Sequence, residues 1–198
     1  MEKLEIKEEA IENRLKTIDN FSLSISEKPN EKDIISIIEF VEKVEISAGR
    51  FKQKPWNKTI KDAIKNNYTS WACYDLAIII LKAFNLDKEM FLVKFAPTSV
   101  ATFGFGGNPD FHYLVQFGDN FYDINGKHSS KDLVGYLKSF SWVGDIKIRE
   151  KRQLDPKEAE IKDIVEKFCL EHINISKQQK EKPGKNIEKK SPDKCLIQ

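Results

Sequence analysis

A thiol becomes a useful nucleophile only where its anion is favoured, and one cysteine of this chain stands in such a place. Cys73 follows the polar, turn-rich stretch Asn66-Asn67-Tyr68-Thr69-Ser70-Trp71-Ala72 and opens an apolar run, Cys73-Tyr74-Asp75-Leu76-Ala77, that continues to about Phe84. A segment apolar on every side predicts a buried central helix, with Cys73 in its first turn. There the positive end of the helix dipole and the free backbone N–H groups favour thiolate. The N–H of Cys73 can also donate to a developing oxyanion. The plainer reading of the same position is a small buried side chain like any other free cysteine.

A thiol nucleophile needs a base, and the chain has three histidines. His128 falls in the polar turn Gly126-Lys127-His128-Ser129 and His172 near the end of the last predicted helix, both settings typical of surface residues. His112 begins a strand-like segment, Asp110-Phe111-His112-Tyr113-Leu114-Val115-Gln116-Phe117, beside a glycine-rich stretch. A strand end holds an imidazole rigidly while the neighbouring loop leaves room for substrate.

The third member follows from hairpin geometry. With Gly118-Asp119 as a two-residue turn, Phe117 pairs with Asn120, Leu114 faces Asp123 and His112 faces Asn125. Alternation then puts His112, Leu114, Phe121, Asp123 and Asn125 on one face. Asp123 becomes the diagonal neighbour of His112, able to fix its tautomer and stabilise its protonated form. A three-residue turn would put Asp123 on the opposite face, and both Asp123 and Asn125 also suit the bland role of polar residues at a hairpin end.

Cysteine opening a buried helix, then histidine on a strand, then Phe121-Tyr122-Asp123 on the next strand resembles the transglutaminase-like branch of the papain-like cysteine enzymes. The resemblance covers residues 66–126. It implies Cys73 as nucleophile, His112 as general base and acid, and Asp123 as the orienting acid. Trp71 and Ala72 replace the glycine common before the family's cysteine, and Phe111-His112-Tyr113 replaces an aromatic-rich His-Ala-Trp. Gln53, Asn57 and Asn67 are the candidates for an oxyanion-hole side chain.

The elements around these residues are legible from periodicity. Residues 2–18 predict an amphipathic helix with Leu4, Ile11, Leu15 and Ile18 on one stripe. A loop over 26–32 leads, with Asn30 or Asp33 as cap, into a helix carrying Ile34, Ile37, Ile38, Val41 and Val44 and ending near Glu45. A shorter helix is expected over 58–65, a strand over 90–95, an irregular loop over 96–109 and the hairpin strands over 111–117 and 120–124. Within that loop, 101–105 could form a short strand. A helix over 130–140 capped by Ser129 or Ser130, a strand over 145–149 and a helix over 156–173 complete the set.

The fold class is therefore α+β: a papain-like or transglutaminase-like core in which a Cys-bearing helix packs on a small antiparallel sheet, preceded by a helical region. At 198 residues the chain suits one domain. That domain spans residues 1–175, with a helical N-terminal region over 1–65, the catalytic core over 66–150 and the final helix over 156–173. Residues 176–198 form a tail without hydrophobic periodicity, read as disordered.

Composition excludes several function classes. The formal net charge is +2 with 40% hydrophobic and 32% charged residues, which argues against a nucleic-acid partner. Cys73, Cys169 and Cys195 are too few and too widely spaced for a disulfide framework or a zinc site, and the chemistry requires no metal or cofactor. The N-terminus, Met-Glu-Lys-Leu-Glu-Ile-Lys, lacks a secretory signal, and the longest apolar run is too short to span a bilayer. A reducing, cytoplasmic setting is expected.

Charge is unevenly spread. Ser176 to Gln198 holds seven lysines against three acids, leaving the body slightly acidic. The chain ends Lys194-Cys195-Leu196-Ile197-Gln198, a match to the prenylation box. Lys185, Lys189, Lys190 and Lys194 would supply the second, electrostatic signal for an anionic membrane. Coincidence is the alternative. Prenylation at Cys195 implies a eukaryotic cytosol, whether the source is eukaryotic or a bacterium that delivers the protein; the Lys- and Ile-rich body is similar to bacterial effectors. The leading expectation is a cysteine hydrolase or acyltransferase acting on a protein or peptide by peptide hydrolysis, deamidation or acyl transfer. A catalytically silent, membrane-tethered interaction module on the same fold is the alternative. An arylamine-type acetyltransferase, which also uses Cys, His and Asp, ranks last on chain length.

Overall fold

The computed structural model describes residues 8–18, 21–51, 59–70, 72–99, 111–139, 143–157 and 163–176. In chain order its elements are α1 (Glu8–Lys16), β1 (Leu23–Ser26), α2 (Glu31–Ala48), α3 (Ile60–Ser70), α4 (Cys73–Ala83) and β2 (Met90–Ser99). There follow β3 (His112–Phe117), β4 (Asn120–Asp123), β5 (Gly126–Ser129), α5 (Ser130–Lys138), β6 (Val143–Arg152), α6 (Ile164–His172) and β7 (Ile173–Ser176). The class is α+β.

Local chemistry sets the ends of the longest helix. Asn30 caps α2 by accepting the Asp33 N–H at 3.0 Å. Gly49 ends it in the left-handed region, φ 66°, donating its N–H to the carbonyls of Glu45 and Ile46. Between these ends Ile34, Ile37, Ile38, Val41, Val44 and Ala48 form the buried stripe. Helix α4 is buried on nearly every side, through Leu76, Ala77, Ile78, Ile79, Ile80 and Leu81. Each such Leu or Ile contributes ~1.5–3 kcal/mol relative to exposure, so α4 anchors the core and holds its own first turn still.

Five strands form one antiparallel sheet in the order β5-β4-β3-β2-β6. Leu92, Val115 and Tyr122 join the core that contains α2 and α4. Val93, Phe95, Leu114 and Phe121 pack with Leu133 and Leu137 of α5 in a second, smaller core. A separate two-stranded parallel sheet pairs β1 with β7, Leu23 opposite Ile173.

Several elements depart from the sequence expectations. Residues 66–70 are helical rather than a turn, since α3 runs to Ser70. Tyr68 and Ile64, one helical turn apart, are fully buried, and the Tyr68 hydroxyl donates to Glu45 at 2.6 Å; tertiary burial outweighs the weak helix propensity of Asn-Asn. Strand β2 continues to Ser99, so 96–99 is strand and not loop; Pro97 is accommodated in an irregular stretch of the β2–β6 ladder, where the register shifts between Pro97 and Ser99. Strand β6 is longer than 145–149, and α5 ends at Lys138. Helix α6 begins at Ile164, capped by Asp163, rather than at 156, and ends at His172; Ile173 turns into β7. Strands β1, β5 and β7 were not expected. The proposed strand over 101–105, Gln53, Asn57 and the tail with Cys195 lie outside the described residues. No helix among the described residues is long and apolar enough to cross a membrane.

Candidate active site

Cys73 is the first residue of α4. Ala72, at the cap position, has no side chain able to bond the first-turn N–H groups, so these point toward the sulfur's surroundings without a competing cap. Cys73 itself is buried.

The hairpin register is the expected one: Phe117 pairs with Asn120, Gln116 with Phe121 and Val115 with Tyr122. His112 and Asp123 accordingly meet across the same face. The His112 Nε2–H donates to Asp123 Oδ2 at 2.8 Å, with His112 fully buried and Asp123 3% exposed. Because an ionised carboxylate only accepts, Nε2 carries the proton and Nδ1 is the nitrogen left to address the Cys73 sulfur. Burial alone would disfavour the charged imidazole. The hydrogen bond to Asp123, with the electrostatic pull of Asp123 and Cys73, outweighs it and raises the His112 pKa from 6.5 to about 9. At neutral pH this histidine is held as imidazolium between Asp123 and the Cys73 sulfur. All three sequence-predicted residues are thus brought together.

Asp123 has further partners that the sequence reading did not assign. Its Oδ1 accepts the Asn125 N–H at 2.8 Å and His128 Nε2 at 2.9 Å. Its Oδ2 accepts the Tyr136 hydroxyl. Burial opposes ionisation of Asp123, but the donors and the charge of the two histidines prevail and hold the carboxyl well below the usual carboxylate range. Asn125, named above only as facing His112, instead donates its side-chain amide to Tyr136 at 2.8 Å and to Thr69 at 3.3 Å.

His128 corrects the sequence reading most directly. It is not a surface residue of a polar turn: its side chain is only 10% exposed and belongs to β5. The signal was Asn125-Gly126, a turn dipeptide. Read as a second hairpin, it pairs Asp123 with Gly126 and Phe121 with His128, which puts His128 on the face of His112 and Asp123. Tyr136, half-buried on α5, was not singled out by the sequence. His172 is used locally, its Nδ1 hydrogen-bonded to the Phe168 carbonyl at 2.8 Å.

A cavity of about 380 Å³ between α2, α3 and the β4–β5 turn reaches this network through Asn125. Of the candidate oxyanion residues, Asn67 lies on α3, where its backbone carbonyl accepts the Ala72 N–H at 3.1 Å just before the nucleophile. Among the described residues no group of three or more His, Cys, Asp or Glu is arranged to hold a metal ion. The arrangement can activate a thiol, protonate a leaving group and keep the imidazole in one orientation. No protein-family model matches the chain, and no curated protein or solved structure matches it.

Proposed function

We propose that the protein is a thiol enzyme of the transglutaminase-like or papain-like kind, acting on an amide or acyl group of a protein or peptide. One observation carries the reading: a fully buried His112, bonded at 2.8 Å to Asp123, that feels the charge of Cys73 at the start of a buried helix. A core that needed only packing would not bury an imidazole, a carboxylate and a thiol against one another, since each loses hydration there. The antiparallel sheet with a Cys-bearing helix across it supports the same family of folds.

In the proposed reaction His112 already holds the proton of the resting pair, and the Cys73 sulfur, as thiolate, bonds to the acyl carbon. The imidazolium then protonates the departing amine as the carbon–nitrogen bond breaks, leaving a thioester on Cys73. Water or an amine attacks the thioester, giving its proton to His112, and the carbon–sulfur bond breaks to restore the thiolate beside the imidazolium. Asp123 stays ionised throughout and orients the ring.

The test is alkylation by iodoacetamide, a probe small enough for a buried thiol, followed by mass mapping across pH. Cys73 in the wild-type protein reacts roughly tenfold or more faster at pH 7 than in His112→Ala. Equal rates in the two folded proteins would overturn the proposal and favour a silent interaction module on this fold.

A further inference from the structure

Asp123 is shared. Four donors from four places in the fold converge on it: His112 from β3, the backbone N–H of Asn125 from the β4–β5 turn, His128 from β5 and Tyr136 from α5. A carboxylate offers about four lone-pair sites, so both oxygens are filled, one by His112 and Tyr136 and the other by Asn125 and His128. Resting on the thiol-enzyme reading, we propose that His128 and Tyr136 are positioning residues that fix the plane of Asp123 and limit the negative charge it presents to His112.

The geometry supplies both halves of this role. His128 lies flat on the Tyr136 ring, centroids 3.9 Å apart and planes 17° from parallel, so neither ring turns without the other. Tyr136 is held in turn by the Asn125 amide, which also reaches Thr69. Thr69 bonds back to the Lys65 carbonyl at 2.7 Å on α3, the helix leading to Cys73. The carboxylate is therefore fixed from β5 and α5 and tied to the segment that carries the nucleophile. Rotation about its last bond would break bonds on both oxygens at once.

The electrostatic half follows from sharing. Every further donor on a carboxylate spreads its charge and weakens its pull on any one partner. His112 must release its proton to a leaving group, and an imidazolium bound too firmly is a poor acid. The groups facing His112 are Cys73 from α4, Asp123 from β4 and, ring to ring at 6.4 Å, Tyr136 from α5. Of these only Asp123 has its charge apportioned by other residues. A purely architectural network would stabilise the fold without affecting how firmly His112 holds its proton.

The experiment follows the His112 ring by NMR titration in the full chain with isotope-labelled histidine. In the wild type the midpoint falls near pH 9. Tyr136→Phe removes one donor and little volume, and raises the midpoint by roughly half a unit. His128→Ala raises it similarly, and His128→Gln, which keeps an N–H donor near the same place, returns it toward the wild-type value. A midpoint unchanged or lowered in Tyr136→Phe, with stability alone reduced, overturns the proposal; that variant decides the matter where His128→Ala does not fold. Failure of the thiol-enzyme reading is seen separately, as unreactive Cys73 in a protein whose His112 midpoint still responds to these substitutions.

Discussion

Asp123 and Glu166 are almost equally hidden, 3% and 6% exposed, yet their surroundings drive them to opposite states. Asp123 is ringed by donors and stays ionised. Glu166, in the first turn of α6, faces acids. Burial first, then the charges of Asp75 and Asp163, raise its pKa from 4.5 to about 8, although Arg50 pulls the other way. Asp75, two residues beyond Cys73, is also raised, by burial first and then by Asp163, against a hydrogen bond from Glu166. Arg50 leaves Glu166 and Asp75 unneutralised because it already pairs with fully buried Glu45 and with Asp163. Burial opposes the charge of both carboxyls; the supply of donors decides which one keeps it. One becomes a fixed anion suited to orienting a base, the other a protonated link between α6 and the Cys73 helix.

The largest expected effect comes from removing the fixed anion. In Asp123→Asn the charge that overcomes burial at His112 is gone, so the His112 midpoint falls from about 9 to near or below its ordinary 6.5. Cys73 alkylation at neutral pH then drops roughly a hundredfold. Denaturant unfolding should also show a loss of about 3 kcal/mol or more, typical of one partner deleted from a buried ion pair. A His112 midpoint still near 9 would mean that Asp123 is not the group that holds its proton.

The two thiols extend the comparison to nucleophiles. Cys169 is fully buried on α6, and burial first, then Glu45, pushes its pKa far above the ordinary thiol value, only partly offset by Arg50. Cys73 has the histidine and the helix N-terminus that Cys169 lacks. Mass mapping after iodoacetamide at pH 7.5 should find Cys73 modified on the order of tenfold or more faster. Equal, slow modification would remove the distinction between the two regions.

Stability against pH separates the regions by the sign of their slopes. Glu166 binds its proton more tightly folded than unfolded, so its contribution is greatest below about 4.5 and is lost as pH rises toward 8. His112, also raised, contributes fully below about 6.5 and loses that contribution through about 9. Asp123, lowered, contributes above about 3.9 and fails only in strong acid. Glu166→Gln should therefore flatten the fall between 4.5 and 8, stabilise the protein at pH 8 by ~1–3 kcal/mol, and leave the limb near 9 in place. Urea midpoints from pH 4 to 9 would show an unchanged slope in Glu166→Gln if Glu166 does not hold its proton more tightly in the folded protein.

How much of this was legible in the sequence depended on distance along the chain. His112 and Asp123 could be brought together from alternation and one two-residue turn, because each step spans only a few residues, whereas Cys73 was joined to them by its place at a helix start and by the family resemblance. His128 was lost because Asn125-Gly126 was read as the end of a strand rather than the bend of a second hairpin. The helical state of 66–70 depends on Tyr68 reaching Glu45, 23 residues earlier, which no local pattern announces. The β1–β7 pairing joins segments about 150 residues apart, and short strands of four residues carry too little periodicity to be recognised alone. The acidic cluster was invisible for the same reason: Glu45 and Asp75 come from α2 and α4, and only Asp163 and Glu166 share one element, the start of α6.

The smallest expected effect is the most discriminating, because it applies one chemical change to both regions. Tyr68 and Tyr136 each donate a phenolic hydroxyl to a buried carboxylate, Glu45 in one case and Asp123 in the other. Phenylalanine at either position removes one oxygen and leaves the ring. Tyr68→Phe deletes a 2.6 Å bond to Glu45, which keeps its contacts with Arg50, so the cost should be about 1–2 kcal/mol of folding stability. His112 should titrate at its wild-type midpoint and Cys73 should alkylate at its wild-type rate, since no charge facing His112 has changed. Tyr136→Phe costs a similar amount of stability but moves the His112 midpoint upward, because the lost donor shared an oxygen with that histidine. If Tyr68→Phe shifted His112 as far as Tyr136→Phe does, the two carboxylate clusters would act as one electrostatic unit, and the separation drawn between an orienting anion and a structural acid pair would not stand.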